Sequence, residues 1–178
     1  MPDDPALPIA CDALRLFESL KLAAYPDPAS GGAPWTIAYG STRIDGRPVA
    51  PGDHVTQAQA DAMLAQQAAD VLARVRAMLA IDVTPAQAAA LTSFAYNEGT
   101  AALRGSTLLR RLNTGQTEAV PDELHKWVYA AGRVQLGLLR RRWAEAAIWR
   151  GLPPAAAQPL AWSNITAIHQ WPPFPTMP

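Results

Sequence analysis

From Gln57 to about Ala80 the chain runs without Gly or Pro, and Met63, Leu64, Ala68, Val71, Leu72, Val75, Met78 and Leu79 recur at helical spacing. Thr56-x-x-Gln59 in front of this run is a capping box. The spacing predicts one helix of about 35 Å at 1.5 Å per residue, long enough to link two lobes. A second capping box, Thr84-x-x-Gln87 with Pro85 at the first helical position, opens a helical second half. Helices are expected there at about 85–97, at 106–113 ending in Asn113-Thr114-Gly115, between Thr117 and Ala130, and at 137–150 stopped by Gly151. Ahead of the long helix, Trp35 to Tyr39 alternates apolar and polar residues, and Asp45-Gly46 after Ile44 is a hairpin signal. The expected fold class is α+β, mostly α. A small helix and β-hairpin lobe is joined by the long helix to a helical lobe, with a cleft between them suited to a large ligand.

The chain has 178 residues, enough for one well-buried domain, or one domain of two lobes, without disulfides. The lone Cys11 cannot form an internal bridge and reads as a buried helix residue. No stretch approaches the roughly 20 apolar residues that span a bilayer, so no transmembrane segment is expected. Residues 1–10 lack the basic start and apolar core of a secretory signal. His54, His125 and His169 are scattered without metal-ligand spacing, and neither a Ser-His-Asp nor a Cys-His triad is supported, so no metal and no cofactor are expected.

Formal charge is zero but unevenly spread. Residues 1–100 hold five more acidic than basic side chains, residues 101–150 hold five more basic than acidic, and residues 151–178 hold none. A basic face near the cleft would favour encounter with an anionic polymer. Arg140, Arg141 and Arg142 read equally as a solvated helix face. No nucleic-acid motif accompanies the arginines, and no nucleic-acid partner is expected.

The candidate chemistry lies near the amino terminus. Glu18 stands in a stretch of Leu, Phe and Tyr residues that reads as apolar helix. A carboxyl kept from water there favours its neutral form and can serve as a general acid. Asp27, on a Pro-flanked turn, is expected to stay ionised and to orient or deprotonate a water. Two carboxyls in two environments suit glycosidic bond cleavage.

The run Glu18-Ser-Leu-Lys21-Leu22-x-x-Tyr25-x-Asp27, with Trp35-Thr36-Ile37-x-Tyr39-Gly40 behind it, resembles the catalytic signature of the phage-type lysozymes, the endolysins of glycoside hydrolase family 24. Similarity continues through Thr84-Pro85-Ala86-Gln87 and Leu91 to Gly99, through Ser106 to Asn113, and through Trp127, Ala131-Gly132-Arg133, Gly137 to Arg142 and Ala144-Glu145. The resemblance implies a lysozyme-like two-lobed fold and three catalytic side chains. Glu18 would be the acid, Asp27 would activate water or stabilise the oxocarbenium-like centre, and Thr36 would help hold that water. It also implies substrate contacts from Tyr96 and Asn97, and Tyr25, near the acid by spacing, is a further substrate-binding candidate that would shape the cleft. Tyr25 reads equally as a core aromatic, and Asn97 before Gly99 equally as a helix cap. Glu98 is the rival carboxylate, with a structural role expected at its helix end. One arginine of 140–142 is a candidate partner for Glu18.

Three departures from the family pattern bear on this reading. Eight residues, Pro28 to Trp35, separate Asp27 from Thr36, where the shortest family loops have five; Ala38 stands where Gly is usual; and Ser41 stands where a His commonly follows Tyr-Gly. Activity is expected to survive them. The resemblance covers about residues 10–150, and implies a division into an extension at 1–9, a muramidase domain at 10–150 and a tail at 151–178. Within the domain the small lobe is expected at about 10–55, the linking helix at about 57–80 and the helical lobe at about 85–150. The tail holds 7 of the 17 prolines with Trp162, Trp171 and Phe174, and is expected to pack on the domain rather than extend or bind another molecule.

By resemblance the activity is inverting hydrolysis of the β-1,4 bond between N-acetylmuramic acid and N-acetylglucosamine in bacterial peptidoglycan, for host cell lysis. A lytic transglycosylase and a turnover-deficient wall-binding protein are the alternatives. The implied protein is a monomer made in the host cytoplasm that reaches the cell wall of the periplasm after a holin opens the membrane.

Overall fold

The computed structural model describes residues 4–26 and 30–175. Helix α1, Ala6–Phe17, buries Ala6, Ala10, Cys11, Ala13 and Leu14. The Asp4 carboxylate accepts the Ala6 backbone N–H at 2.9 Å and pairs with Arg76 at 3.0 Å. Residues 4–9 are therefore part of the packed body, where the sequence implies an extension. The helix also ends sooner than the apolar run suggests. Glu18 N–H still donates to Leu14 O at 2.8 Å, but the backbone at Glu18 turns extended, with φ −95° and ψ 135°.

The next residues form strand β1, Lys21–Tyr25, rather than more helix. It pairs antiparallel with β2, Thr36–Ala38, placing Lys21 opposite Ala38 and Tyr25 opposite Thr36. On its other side, Ala24 N–H donates to Asp53 O and Val55 N–H to Leu22 O, both at 2.9 Å. Bonding on both edges overrides the helical preference of Lys-Leu-Ala-Ala. A second hairpin joins β3, Arg43–Ile44, to β4, Arg47–Pro48. Its central residues Asp45 and Gly46 take φ of 49° and 79°, the left-handed pair that a two-residue loop of this kind demands.

Helix α2, Gln57–Arg76, carries the expected capping box but stops short of Ala80. Asn113 closes its end, donating through Nδ2 to Met78 O at 2.8 Å and accepting from Ala80 N–H at 2.9 Å. Helix α3, Pro85–Glu98, is the buried axis of the molecule, with every residue from Ala88 to Ala95 inside. It packs on α1, on α2 and on α7, Leu136–Trp149. The short α4, Thr100–Gly105, goes unannounced by any sequence signal, and Ser106 then caps α5, Thr107–Asn113, through the Leu109 N–H at 3.0 Å.

The helix expected between Thr117 and Ala130 is replaced by three pieces. These are a 3-10 turn at Thr117–Ala119, helix α6 at Val120–His125, and a hairpin of β5, Tyr129–Ala130, with β6, Arg133–Val134. Ala131 and Gly132 turn the hairpin with φ of 49° and 74°, a left-handed pair that ends any helix.

Among the described residues the architecture is mostly helical with three small antiparallel hairpins, the α+β class expected. One core cluster fills the helical half around Phe94, Leu139 and Trp143, and another joins Leu14, Ile37, Ala38 and Tyr39 to Ala60, Leu64 and Ala68 of α2. Each fully buried Leu, Ile or Phe contributes roughly 1.5–3 kcal/mol. The carboxy-terminal segment packs back on this body. Helix α8, Pro154–Asn164, lies on α7 and α1. Beyond it Trp171 stacks on His125 at 4.1 Å, Phe174 stacks on Trp143 at 5.2 Å, and Trp143 Nε1 donates to Pro172 O at 2.8 Å.

Candidate active site

Glu18 occupies the C-cap of α1, where the chain leaves the helix for β1. Its side chain is 23% exposed and accepts a 2.7 Å hydrogen bond from Nη1 of Arg141, which is itself only 8% exposed. The apolar setting that the sequence implies is thus only part of the seat. Phe17 meets that arginine, whose guanidinium lies 5.1 Å over its ring.

Arg141 is held from behind. Its Nε donates to Glu145 Oε1 at 3.2 Å and its Nη2 to Ser93 O at 3.3 Å. Ser93 Oγ donates to the same Glu145 oxygen at 2.8 Å. Glu145 has no exposed surface and also serves Arg142, whose Nη2 donates to Oε1 at 3.1 Å and whose Nε lies 2.8 Å from Oε2. Arg142, equally buried, reaches Glu98 Oε1 at 3.1 Å and Asn97 Oδ1 at 2.8 Å. Burial pushes the Arg142 pKa below the usual arginine value, while the Glu145 charge opposes that shift. Two of the three consecutive arginines are therefore internal, which corrects their reading as a solvated face. Glu98 is bound into the same network, so it is an ion-pair partner rather than a free carboxylate.

The strand side of the site is assembled without charge at its centre. Thr36 opens β2 opposite Tyr25, and both are partly buried. Ala38, buried behind them, takes a left-handed φ of 57°, a conformation that costs a β-carbon about 1–2 kcal/mol and accounts for a glycine preference there. Ser41 turns back so that its backbone N–H and C=O both bond Ile37, at 2.9 and 2.8 Å. The Ser41 hydroxyl accepts from Gln67 Nε2, and Gln67 Oε1 accepts from the Tyr96 hydroxyl at 2.8 Å, with Tyr39 O at 3.2 Å from that hydroxyl. Gln67 so ties β2, α2 and α3 together. Burial first, and then the Glu18 charge, push the Tyr96 pKa up to about 12, with Arg141 opposing. On the outer side, Tyr39 donates to Asp61 Oδ1 at 2.9 Å, and Gln57 and Arg15 meet the same carboxylate at 3.1 and 3.3 Å.

Asp27 lies outside the described residues. Of the other candidates, Tyr25 and Thr36 face each other across the two-stranded sheet, Tyr96 senses Glu18 electrostatically, and Asn97 is oriented by Arg142. Sequence reasoning missed Glu145, Ser93 and Gln67. Glu145 stands four residues after Arg141 and three after Arg142, the helical spacing of ion pairs, and that was the available signal. Gln67 carried none. Among the described residues no three His, Cys, Asp or Glu side chains gather as a metal site. A surface cavity of about 640 Å³, lined by Thr84, Glu118, Trp149, Arg150 and Phe174, includes none of the candidate residues.

Comparison with known proteins places these features in context. The family described as phage lysozyme matches the chain over residues 15–145. The SAR-endolysin of Bacteriophage PS119 is 36% identical over 110 residues, covering 62% of this chain and 64% of that protein. The endolysin of Bacillus phage PZA is 35% identical over 154 residues, covering 86% of this chain and 58% of that protein. The chain thus spans less than two thirds of the length of these two relatives. Among solved structures, the endolysin from Escherichia coli O157:H7 phage FAHEc1 superposes with a TM-score of 0.72 at 33% identity, over 80% of this chain and 91% of that one.

Proposed function

This chain belongs to the phage lysozyme family, and from that membership we propose that it is a muramidase hydrolysing the β-1,4 bond between N-acetylmuramic acid and N-acetylglucosamine in peptidoglycan. The observation that carries the reading is Glu18: a part-exposed carboxyl at a helix end, gripped at 2.7 Å by a buried arginine. Protonated Glu18 donates to the glycosidic oxygen as that bond breaks. Water adds to the anomeric carbon from the opposite face, with inversion, and its proton passes to Asp27. The Thr36 hydroxyl, both donor and acceptor, holds that water. Arg141 meets the negative charge that appears on Glu18 once its proton is gone, so the product side of the transfer needs no rearrangement.

Tyr25, Tyr96 and Asn97 are assigned to the substrate. Arg142 occupies Asn97 Oδ1, which leaves the exposed amide Nδ2 to donate to a sugar acetamido or hydroxyl oxygen. The Tyr96 hydroxyl proton is engaged by Gln67, so this residue contributes its ring and an acceptor lone pair. No helix among the described residues is long and apolar enough to cross a membrane. The protein acts as a monomer, made in the host cytoplasm and admitted to the wall by a holin.

One observation favours a second reading. Arg141 occupies a Glu18 carboxylate oxygen at 2.7 Å, an ion pair that a wall-binding protein without turnover would keep equally well. Digestion of purified peptidoglycan separates the readings. A muramidase releases saccharides with new reducing ends, and Glu18→Gln lowers the rate by roughly 100- to 10,000-fold. Anhydro-sugar ends would indicate a lytic transglycosylase. Pelleting with sacculi without sugar release, by wild type and variant alike, would establish the binding role instead.

A further inference from the structure

We infer that Trp162, carried by the carboxy-terminal helix, is a positioning residue for the catalytic acid, acting through Phe17 and Arg141; the inference rests on Glu18 being that acid. Helix α8 lies outside residues 15–145 that match the family, contains no charged residue, and packs against both α1 and α7. Its Trp162 ring lies against Phe17, with centroids 6.3 Å apart and planes inclined by 17°. Phe17 is the last residue of α1, and Glu18 follows it directly at the point where the backbone turns extended. The same Phe17 ring carries the Arg141 guanidinium at 5.1 Å, and Arg141 grips Glu18.

Helix α7 closes the circuit. Arg140 Nε donates to Ile165 O at 2.8 Å, and its guanidinium lies 5.7 Å from the centre of the Trp162 ring. Adjacent arginines on one helix thus hold the tail helix and the acid, with Trp162 and Phe17 between them. Three guanidinium nitrogens of Arg141 are bonded, to Glu18, Glu145 and Ser93. Phe17 covers a face of that group, and Trp162 in turn backs Phe17. Keeping water from a guanidinium strengthens its pull on a carboxylate, and a ring that cannot swing keeps the group in place. At 36% exposure Trp162 also has an open side, so direct contact with glycan is the competing role the test must separate.

The test compares Trp162→Leu, which keeps apolar bulk but loses the stack, with Trp162→Phe and with Trp171→Leu in the full chain. Trp171 lies in the same tail but stacks on His125, away from this circuit. On soluble glycan strands, Trp162→Leu is expected to lower kcat on the order of ten- to a hundredfold with KM nearly unchanged. Trp162→Phe should restore most of kcat, and Trp171→Leu should lower Tm without changing kcat below its transition. Independently of turnover, the Nε–H resonance of Arg141 should move in Trp162→Leu and stay put in Trp171→Leu. An unmoved resonance, a rise in KM at constant kcat, or equal kcat losses in the two Leu variants would overturn the inference. Inactive wild type would count against the muramidase reading alone, because the resonance still reports on Arg141.

Discussion

Glu18 and the strand that carries Thr36 are secured by opposite kinds of chemistry. Behind Glu18 stand Arg141, Glu145 and Arg142, a run of charges in which the last two have no exposed surface. Behind β2, Ser41, Gln67 and Tyr96 join three elements through uncharged hydrogen bonds. The charged side is built where α3 and α7 pack tightly, and it is sustained only because each ion finds several partners. The neutral side sits on short strands with fewer buried residues around them, where hydrogen bonds exchange against water at little net energy. The helical half should therefore be brittle to single substitutions at its network, and the small half tolerant.

Glu145→Leu is the strongest challenge to that contrast. It removes the buried carboxylate that two buried guanidinium groups share and should cost about 3–5 kcal/mol. In a chain of this size that is a fall in Tm of roughly 10 °C, measured by thermal unfolding, with a loss of activity as Arg141 loses its anchor. Gln67→Ala, which takes the Ser41 hydroxyl's Gln67 partner and leaves the Tyr96 hydroxyl only Tyr39 O at 3.2 Å, should cost about 1–3 kcal/mol in denaturant unfolding. If it costs as much as Glu145→Leu, the distinction between the two sides fails.

The Asp4–Arg76 pair asks whether burial, rather than charge, makes the difference, since its side chains are 10% and 30% exposed. Asp4→Asn should cost only about 0.5–1 kcal/mol near pH 7. The Arg76 hydrogen bond holds the Asp4 carboxyl below its ordinary value of 3.8, against desolvation, so the folded state binds the proton less readily than the unfolded one. The contribution is then complete above about pH 4 and disappears as pH falls through the folded pKa. The Tm gap between wild type and Asp4→Asn should accordingly close in acid. The smallest effect is expected at Ala38, where Gly relieves the left-handed backbone but gives up a buried methyl, for a net gain of about 0.5 kcal/mol. A loss of stability in Ala38→Gly would show that the methyl matters more than the strain.

Local signals were the readable part of this chain. Both capping boxes, the Asp45-Gly46 turn and the mostly helical second half appear where their residues announce them. Lys21–Tyr25 was not readable, because its strand character comes from bonding to 36–38 on one side and to Asp53 and Val55 on the other. The β5–β6 hairpin was hidden for a related reason: Ala131 is a strong helix former that here takes a left-handed φ of 49°. At the site, Glu18 could be singled out by its apolar neighbours and the family signature, and Thr36 by that signature alone. One arginine of 140–142 was a candidate partner for Glu18, but that Arg141 is the one, and that Arg142 is buried as well, depends on partners from other elements.

The sequence by itself determined the starts of α2 and α3, the Asp45-Gly46 turn, the family and the candidate acid, because each is written in residues a few positions apart. Only the tertiary structure decided that Glu18 ends its helix rather than lying within it, and which arginine meets it. That arginine stands 123 residues further along the chain. A contact of that range depends on how α1, α3 and α7 pack, and packing is a property of the assembled core that local preference does not encode.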